Sequence, residues 1–322
     1  MTETDNPPRL AVLATGGTIA SKKGADGAAS PALTGQDLLA VLPPMAVELA
    51  PRELLARDSS CLTLADMQMV SDAVGLALAD PGLAGVVVLH GTDAMEETAL
   101  LVELQHRPGK PVVFTGAQFA SDHALSDGPG NLADAVQRAL TGVPGVALVF
   151  GGRSLPAWGL YKFASDSADA FRLAGGPQAV LAPLPAPVAG LRVDIVAVHP
   201  GGDALHLDAS IAAGARGIVI AALGSGNGTP ELVAGVARAR AAGVPMAAQP
   251  RGSSSAKATT QRRALRSSGS MLPMAMRPTT ALVAHMAGGV ASIRTRRGVS
   301  CIANPWSKRR AARRWAGLDA QV

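Results

Sequence analysis

Residues 85–105, GVVVLHGTDAMEETALLVELQ, decide the fold of this chain. The stretch opens on an unbroken apolar run from Gly85 to Leu89, the pattern of a short strand that is covered on both faces. A polar loop, HGTD, follows. A helix then begins with Glu96 and Glu97, which suit the positive end of a helix dipole. A buried strand that leads through a polar loop into a helix indicates a βαβ unit of a parallel sheet.

The same unit occurs on both sides of this stretch. Predicted strands at 10–14, 112–114 and 146–150 end in the glycine-containing loops TGGT, TGAQ and GGR. Helices are predicted from a Thr63 N-cap, with Asp66 three positions on, to just before Pro81, and from Asn131 to Leu140. In a parallel sheet ligands bind outside the carboxyl ends of the strands. We therefore expect the functional site where these four loops meet.

The length of 322 residues favours two domains, because single cores stop growing near this size. We predict an α/β fold. Residues 1–190 would form a Rossmann- or flavodoxin-like domain with a parallel sheet, and residues 191–322 a smaller C-terminal α/β domain. The Gly- and Pro-rich stretch around 175–200 would connect them. The predicted elements of the second domain are strands at 195–198 and 217–220, a helix around Ile211 and a helix from Pro230 to Ala241.

Two further stretches lack regular periodicity. Residues 21–35, SKKGADGAASPALTG, are predicted to form a long loop of the functional kind. After about residue 248 the chain is rich in Arg, Ser and Gly. A natural basic tail and a disturbed reading frame of the gene would both produce this composition. We favour the second as a hypothesis, and the sequence there leaves open whether these residues fold.

The charge of the chain is divided unevenly. Residues 1–231 hold 13 basic and 23 acidic residues, a net charge of −10, whereas residues 232–322 hold 16 basic residues and one acidic residue, a net charge of +15. A basic tail can bind nucleic acid by releasing counterions. This tail has few interleaved aromatic residues and no recognition motif, which disfavours nucleic acid as a partner.

Several other classes of protein are disfavoured. No apolar run reaches the ~18 residues that span a bilayer, and the N-terminus is polar, so we expect a cytoplasmic protein that does not bind membranes. Cys61 and Cys301 lie outside any CxxC spacing and are expected to be free thiols. We expect neither a metal nor an organic cofactor.

The loop TGGT allows several interpretations on its own. Thr15 and Thr18 flank two glycines, and such a loop can be a capped turn, a phosphate cradle or the carrier of a nucleophile. A nucleotide site of the Rossmann type is disfavoured because the GxGxxG spacing is missing, as is an acidic residue that ends a second strand ~20 residues on.

Taken with its other motifs, the chain resembles the bacterial-type L-asparaginase family. The two main motifs are ATGGTIAS at 14–21 and LHGTDAMEETA at 89–99. Three further segments fit: DSS at 58–60, SDGPGNLADAV at 126–136, and YKFASDSADAF at 161–171, in which Lys162 precedes Phe171 by the family's spacing. The resemblance covers about residues 8–247.

The resemblance implies hydrolysis of L-asparagine to L-aspartate and ammonia through a covalent acyl-enzyme. Thr18 matches the nucleophile and Thr92 the second catalytic threonine, with Lys162 and Asp93 as its proton-handling partners. A threonine hydroxyl is a weak nucleophile at neutral pH and needs such partners. The resemblance also implies a homodimer or homotetramer.

The resemblance also implies a set of substrate contacts. Asp93 would pair with the α-amino group of the substrate, and Ser59 would bind its α-carboxylate. Ala117 would contribute a backbone contact to the reacting amide. Gly17 and Gly91 would let the backbone approach the substrate closely.

The same residues have structural interpretations. Thr92 and Asp93 are good N-cap residues, lysines such as Lys162 usually lie at the surface, and His90 is expected to pack at a strand end. Asn227 would be a left-handed turn residue or would match a family asparagine that reaches a neighbouring subunit's site.

One departure from the family affects the nucleophile. Many members carry a tyrosine in the loop after the first motif, but this segment reads SPALTG and the chain's one tyrosine is Tyr161. The hydroxyl that assists the nucleophile is therefore either absent or supplied by another residue, for which Ser21, Ser30 and Thr34 are the candidates in the loop. The alternatives to an asparaginase are a glutaminase or related amidase, since one methylene is a weak discriminator, and a non-catalytic asparagine-binding relative.

Overall fold

The structure is a computed structural model that describes residues 6–23, 29–174, 183–184, 186–223 and 226–250. The predictions for residues 251–322, including Cys301, and for residues 175–182 of the predicted connection lie outside these residues. The strands among the described residues are β1 Arg9–Gly16, β2 Ser21–Lys23, β3 Ala29–Pro31, β4 Glu48–Arg57, β5 Gly85–Leu89, β6 Pro111–Thr115, β7 Gly145–Phe150, β8 Arg153–Pro156, β9 Leu160–Lys162, β10 Phe171–Leu173, β11 Val193–Ala197, β12 Gly217–Ala222 and β13 Met246–Pro250. The helices there are α1 Gly35–Leu39, α2 Leu64–Ala79, α3 Met95–His106, α4 Gly128–Leu140, α5 Leu205–Ala212 and α6 Pro230–Ala241.

The described residues divide into two compact units, one that runs to Leu173 and includes 183–184, and one that contains Ala174 and the residues from Ala186 onward. The predicted domain boundary at residue 190 stays a prediction. None of the helices in the described part of the chain is long and apolar enough to cross a membrane.

The first unit contains a mostly parallel sheet with the order β4-β1-β5-β6-β7-β8 among its described strands. The five strands β4, β1, β5, β6 and β7 are parallel to one another, and β8 is antiparallel to β7. In this sheet β1 is the first strand along the chain, β4 the second and β5 the third, so the strands follow the flavodoxin-like order. The order in which successive strands are added reverses between β1 and β5. The predicted α/β fold is confirmed.

Alternate residues of β5 supply two separate cores. Val86 and Val88 belong to the core that contains Val70 and Val102 from α2 and α3. Val87 and Leu89 belong to the core on the other face, with residues of α1 and α4. A strand covered on both faces has no solvent side, which explains the unbroken apolar run.

Local signals place several helix ends as predicted. The Thr63 hydroxyl accepts a hydrogen bond from the Asp66 N–H, and the Asp66 carboxylate accepts one from the Thr63 N–H, so that a capping box starts α2. Helix α6 spans the predicted residues, with Thr229 as its N-cap. Helix α4 begins at Gly128, three residues before the predicted Asn131, because its first turn includes Pro129.

Residues 21–35 are more regular than predicted. Ser21–Lys23 and Ala29–Pro31 pair as the antiparallel strands β2 and β3, with Ser21 opposite Pro31. The prediction of one long loop is therefore wrong for these two segments. The cause is local, since backbone pairing between two short segments leaves no periodic pattern of side chains.

The second unit contains a parallel sheet with the order β11-β12-β13 in its described part. Helices α5 and α6 contribute Leu207, Leu232 and Val236 to its core. Asn227 is not left-handed, because Gly226 takes the positive φ of that loop, at 102°, and the Asn227 carbonyl accepts a hydrogen bond from the Leu223 N–H. The left-handed interpretation of Asn227 is wrong.

Candidate active site

The reversal of the sheet at β1 and β5 brings the loops TGGT and HGTD side by side. The two strands are parallel with Ala14 opposite Leu89, so the residues after them continue as neighbours. Gly17 and Gly91 are in contact, since a Cβ built on Gly17 would lie 2.4 Å from the Gly91 Cα. Thr18 and Thr92 follow these glycines in their loops and therefore lie at neighbouring positions on the carboxyl edge of the sheet.

The two threonines of TGGT have different surroundings. Thr15 is 1% exposed, and its hydroxyl donates to the Leu89 carbonyl at 3.0 Å, so it ties β1 to β5. Thr18 is half-buried and begins a short 3-10 helix, Thr18–Ala20, whose N-cap is Gly17. Neither threonine caps this helix, and Thr18 is the one that remains accessible.

Gly17 is held from two directions. Its N–H donates to the Arg57 carbonyl at 3.1 Å, and its carbonyl accepts the Ser21 hydroxyl at 2.9 Å. Because its N–H is already bonded, the contribution of Gly17 to a substrate site would be close approach of the backbone and not a donated hydrogen bond.

Replacing Gly17 by alanine is expected to lower the free energy of unfolding by about 3 kcal/mol. Gly17 has a φ of 82° and a ψ of −174°, a conformation that is almost exclusive to glycine and costs an L-residue about 1–3 kcal/mol, and the new Cβ would overlap Gly91, an overpacking worth about 1–3 kcal/mol. Gly142 is a matched control with a φ of 70° and no atom within 4 Å of its built Cβ, so Gly142→Ala should cost only the strain. Urea unfolding of both variants measures this difference, and equal losses would contradict the close packing of the two loops.

Lys162 joins the second loop to the β9–β10 hairpin. Its Nζ lies 2.8 Å from the Thr92 Oγ1 and 2.6 Å from the Asp93 Oδ1. The Lys162 side chain is 12% exposed and the Asp93 side chain 52%, so the surface interpretation of this lysine is wrong. The pair connects an almost buried ammonium group to a carboxylate that faces solvent.

Thr92 and Asp93 are not helix caps. The N-cap of α3 is Ala94, and no side chain caps that end of the helix. The Thr92 hydroxyl and the Asp93 carboxylate contact Lys162 instead. Helix capping therefore does not explain these two residues.

Ser59 completes the arrangement around Asp93. It is 4% exposed, and its Oγ accepts the Asp93 N–H at 3.0 Å. A Cβ on Gly91 would lie 2.5 Å from the same Oγ, so a glycine is required there. Ser59 and Gly91 are thus in direct contact.

Asp58 is an acidic neighbour that the sequence motifs did not single out. Hydrogen bonds from the side chain and backbone of Ser60 lower the pKa of Asp58, and the positive charge of Lys162 lowers it further. Asp58 therefore stays ionised near Lys162. Its position immediately before Ser59 in DSS was the available signal.

The loop TGAQ packs beside HGTD. A Cβ on Gly116 would lie 2.3 Å from the His90 carbonyl, and the Gly116 carbonyl accepts the Asn131 amide at 3.0 Å. Ala117 follows and is 1% exposed. Its position next to this loop is compatible with a backbone contact to a substrate, and that role stays a prediction.

His90 is a packing residue, in agreement with the structural interpretation. It is fully buried against Phe114, and its Nδ1 lies 2.7 Å from the Gly91 carbonyl. Burial lowers the pKa of His90 to about 4, and the hydrogen bond to Gly91 opposes this shift only in part. The ring is neutral at physiological pH.

Two of the three hydroxyls that could replace the missing tyrosine have described contacts. Thr34 caps α1 in a capping box with Asp37, and Ser30 lies where the structure describes no side chain. Ser21 belongs to the nucleophile loop itself, because its hydroxyl donates to the Gly17 carbonyl. Within the described residues no group of three or more His, Cys, Asp or Glu side chains could hold a metal ion.

The fold and the site together define a flavodoxin-like α/β protein in which the Thr92 hydroxyl, the Lys162 ammonium group and the Asp93 carboxylate meet beside the loop TGGT, where the order of the strands reverses. A family model described as the N-terminal domain of asparaginase matches residues 9–182, and one described as the glutaminase/asparaginase C-terminal domain matches residues 192–292. The chain belongs to the asparaginase family, whose members are amidohydrolases.

Individual relatives agree with this family. The chain is 36% identical to a probable L-asparaginase of Deinococcus radiodurans over 70% of its own length and 75% of the relative's. It is 29% identical to an L-asparaginase of Bacillus licheniformis, over 73% and 80%. A solved probable cytoplasmic L-asparaginase from Campylobacter jejuni superimposes with a TM-score of 0.66 at 25% identity, over 76% of this chain and 83% of that one.

Proposed function

We propose that this chain hydrolyses the side-chain amide of L-asparagine to L-aspartate and ammonia through an ester of Thr18. The observation that carries the proposal is the contact of the Lys162 Nζ with both Thr92 and Asp93. This contact links a group that can move a proton to a carboxylate that can bind an amino acid. The names of the relatives, which are asparaginases, support the choice of substrate.

Asp93 and Ser59 would hold the backbone groups of the substrate. The Asp93 carboxylate uses Oδ1 for Lys162 and is half exposed, so its outer oxygen can pair with an α-ammonium group. The Ser59 Oγ accepts a hydrogen bond from the Asp93 N–H, which leaves its own proton for donation to an α-carboxylate. The two groups are joined by this hydrogen bond and would hold both charges of one amino acid.

Thr18 would carry the chemistry. Its Oγ1 attacks the amide carbon and forms a C–O bond, and the C–N bond then breaks while the proton lost by Thr18 passes to the departing ammonia. Water next attacks the ester carbon, aspartate leaves, and Thr18 regains its hydrogen. Because the Lys162 Nζ donates to the Thr92 Oγ1, the lysine can pass a proton through the Thr92 hydroxyl to the departing ammonia and then receive the proton lost by Thr18. In the second step a proton from the attacking water returns to Thr18 by the same route.

The chain is expected to release ammonia from L-asparagine with a higher kcat/KM than from L-glutamine. One extra methylene in a pocket is worth about 10–200-fold in kcat/KM, so both substrates must be measured with the purified protein. A preference for glutamine would replace the proposal by a glutaminase. Calorimetric binding of asparagine without release of ammonia would replace it by a non-catalytic relative.

We also propose that the chain acts in the cytoplasm as a homodimer or homotetramer. The resemblance to the family supports the oligomer, and the name of the Campylobacter relative supports the compartment. Light scattering on the purified chain would test the oligomer, and a monomeric mass would overturn it.

A further inference from the structure

Glu96 is a buried carboxylate one turn away from the candidate site. It lies in the first turn of α3, three residues after Asp93, and is 2% exposed. Its Oε2 accepts a hydrogen bond from the backbone N–H of Lys162. We propose that Glu96 is the positioning residue that fixes Lys162 against Thr92, an inference that rests on the proposed function of this site.

The short segment of residues 92–96 contacts both the backbone and the side-chain tip of Lys162. Thr92 and Asp93 contact the Nζ at the tip of the side chain, and Glu96 contacts the backbone N–H. A lysine side chain has four rotatable bonds, so contacts at its tip alone do not fix the path of the backbone below it. The Glu96 contact supplies that second constraint.

The strand that carries Lys162 needs such an anchor. Strand β9 has three residues, and in the described part of the chain it pairs with β10 in a two-stranded sheet. Small hairpins of this kind are only marginally stable by themselves. Lys162 lies opposite Phe171, and the next N–H along, that of Phe163, donates to the Ala170 carbonyl at 2.7 Å. Glu96 therefore binds an N–H at the end of β9 and connects the hairpin to the rigid helix α3.

A role in the helix dipole does not account for these contacts. Acidic residues in a first turn are favourable when they are exposed or half-buried, as Glu97 is in the same turn. Glu96 is buried, and burial of a carboxylate is costly unless hydrogen bonds compensate for it. The carboxylate accepts the Lys162 N–H, so Glu96 acts on the reaction through the placement of this lysine.

Glu103 provides a matched control on the same helix. Its Oε2 accepts the backbone N–H of Val146 in β7 at 3.2 Å, so it also joins α3 to a strand. It lies two turns further along α3, away from the loops TGGT and HGTD. Glu103→Ala should therefore lower thermal stability as Glu96→Ala does, while its kcat stays within about twofold of the parent value.

Three substitutions at Glu96 separate positioning from charge. Glu96→Ala should lower kcat about 100-fold with a KM within about threefold, because an error of 1 Å at a catalytic group costs about this much. Glu96→Gln keeps the length and an acceptor oxygen and should recover most of the activity. Glu96→Asp keeps the charge but withdraws the oxygen, and should stay at least about tenfold below Glu96→Gln.

The order of these variants decides the inference even if Glu96→Ala fails to fold. A higher activity in Glu96→Asp than in Glu96→Gln would show that the negative charge of residue 96 matters more than the position of its oxygen, and would overturn the inference. A kcat of Glu96→Asp equal to that of the parent would overturn it as well.

A crystallographic distance keeps this test apart from the test of the function. If the parent releases no ammonia from asparagine or glutamine, the proposed function fails, and the separation of the Lys162 Nζ from the Thr92 Oγ1 still reports on Glu96. This separation is 2.8 Å in the parent and should exceed about 3.5 Å in Glu96→Asp, beyond hydrogen-bond reach. A contact that stays intact in Glu96→Asp would overturn the inference.

Discussion

Lys162→Met is expected to lower kcat/KM for L-asparagine at least about a thousandfold while the protein stays folded. Methionine keeps the unbranched stem but removes the ammonium group that contacts Thr92 and Asp93. The loss combines proton transfer, which typically contributes about 10²–10⁴-fold, with the loss of the partner that orients Asp93. Measurement of kcat and KM together with thermal unfolding would separate chemistry from stability.

Lys110 is a matched control for this substitution. Its Nζ donates to the Asp80 carbonyl at 2.6 Å, just before β6 and therefore at the amino edge of the sheet. Lys110→Met should leave kcat/KM within about twofold of the parent value, because this contact is remote from the carboxyl-edge loops. A Lys162→Met variant that keeps more than a tenth of the parent activity would exclude the proposed role of this lysine.

The position of the site could be predicted from the sequence because it depends on backbone order. The apolar run of β5 and the polar loops after β1, β5 and β6 predict a parallel sheet with a site at its carboxyl edge. The structure has this arrangement, with Gly17 and Gly91 in contact where the strand order reverses. The glycines are required there because neither position has room for a Cβ.

The spacing of Lys162 and Phe171 also has a physical cause. The two residues are directly opposite each other in the antiparallel pair β9–β10. Phe171 is 1% exposed and packs edge-on against Phe150, with ring centroids 5.2 Å apart. The buried ring of Phe171 therefore fixes the position of β10, and β10 in turn positions β9, which carries Lys162. A change in the length of the turn between these strands would shift their register.

Other features could not be predicted because they depend on tertiary contacts. Strand β4 contains Pro51 and several charged residues and, in the described part of the sheet, pairs with β1 alone, so it lacks the apolar pattern of a central strand. Glu96 looks like an ordinary first-turn acid, and its burial and its contact with Lys162, 66 residues away, distinguish it from Glu97.

Thr18→Val is expected to lower kcat at least about ten-thousandfold. Valine keeps the shape of threonine but has no nucleophilic oxygen, so no ester can form at this position. Thr18 is half-buried and begins a 3-10 helix whose N-cap is Gly17, so its hydroxyl has no capping role. Thermal stability should therefore change little.

Thr15, which directly precedes the glycine pair, provides a control with the same substitution. Its hydroxyl is buried and donates to the Leu89 carbonyl. Thr15→Val should cost roughly 1–3 kcal/mol of unfolding free energy, because a buried acceptor loses its donor, while kcat stays within a few-fold of the parent value. The two threonines of TGGT are thus expected to separate stability from chemistry.

Steady-state release of ammonia from L-asparagine by the parent, Thr15→Val and Thr18→Val tests the role of Thr18 most directly. We predict turnover by the parent and by Thr15→Val, and none above background by Thr18→Val. Turnover by Thr18→Val within tenfold of the parent would contradict hydrolysis through an ester of Thr18.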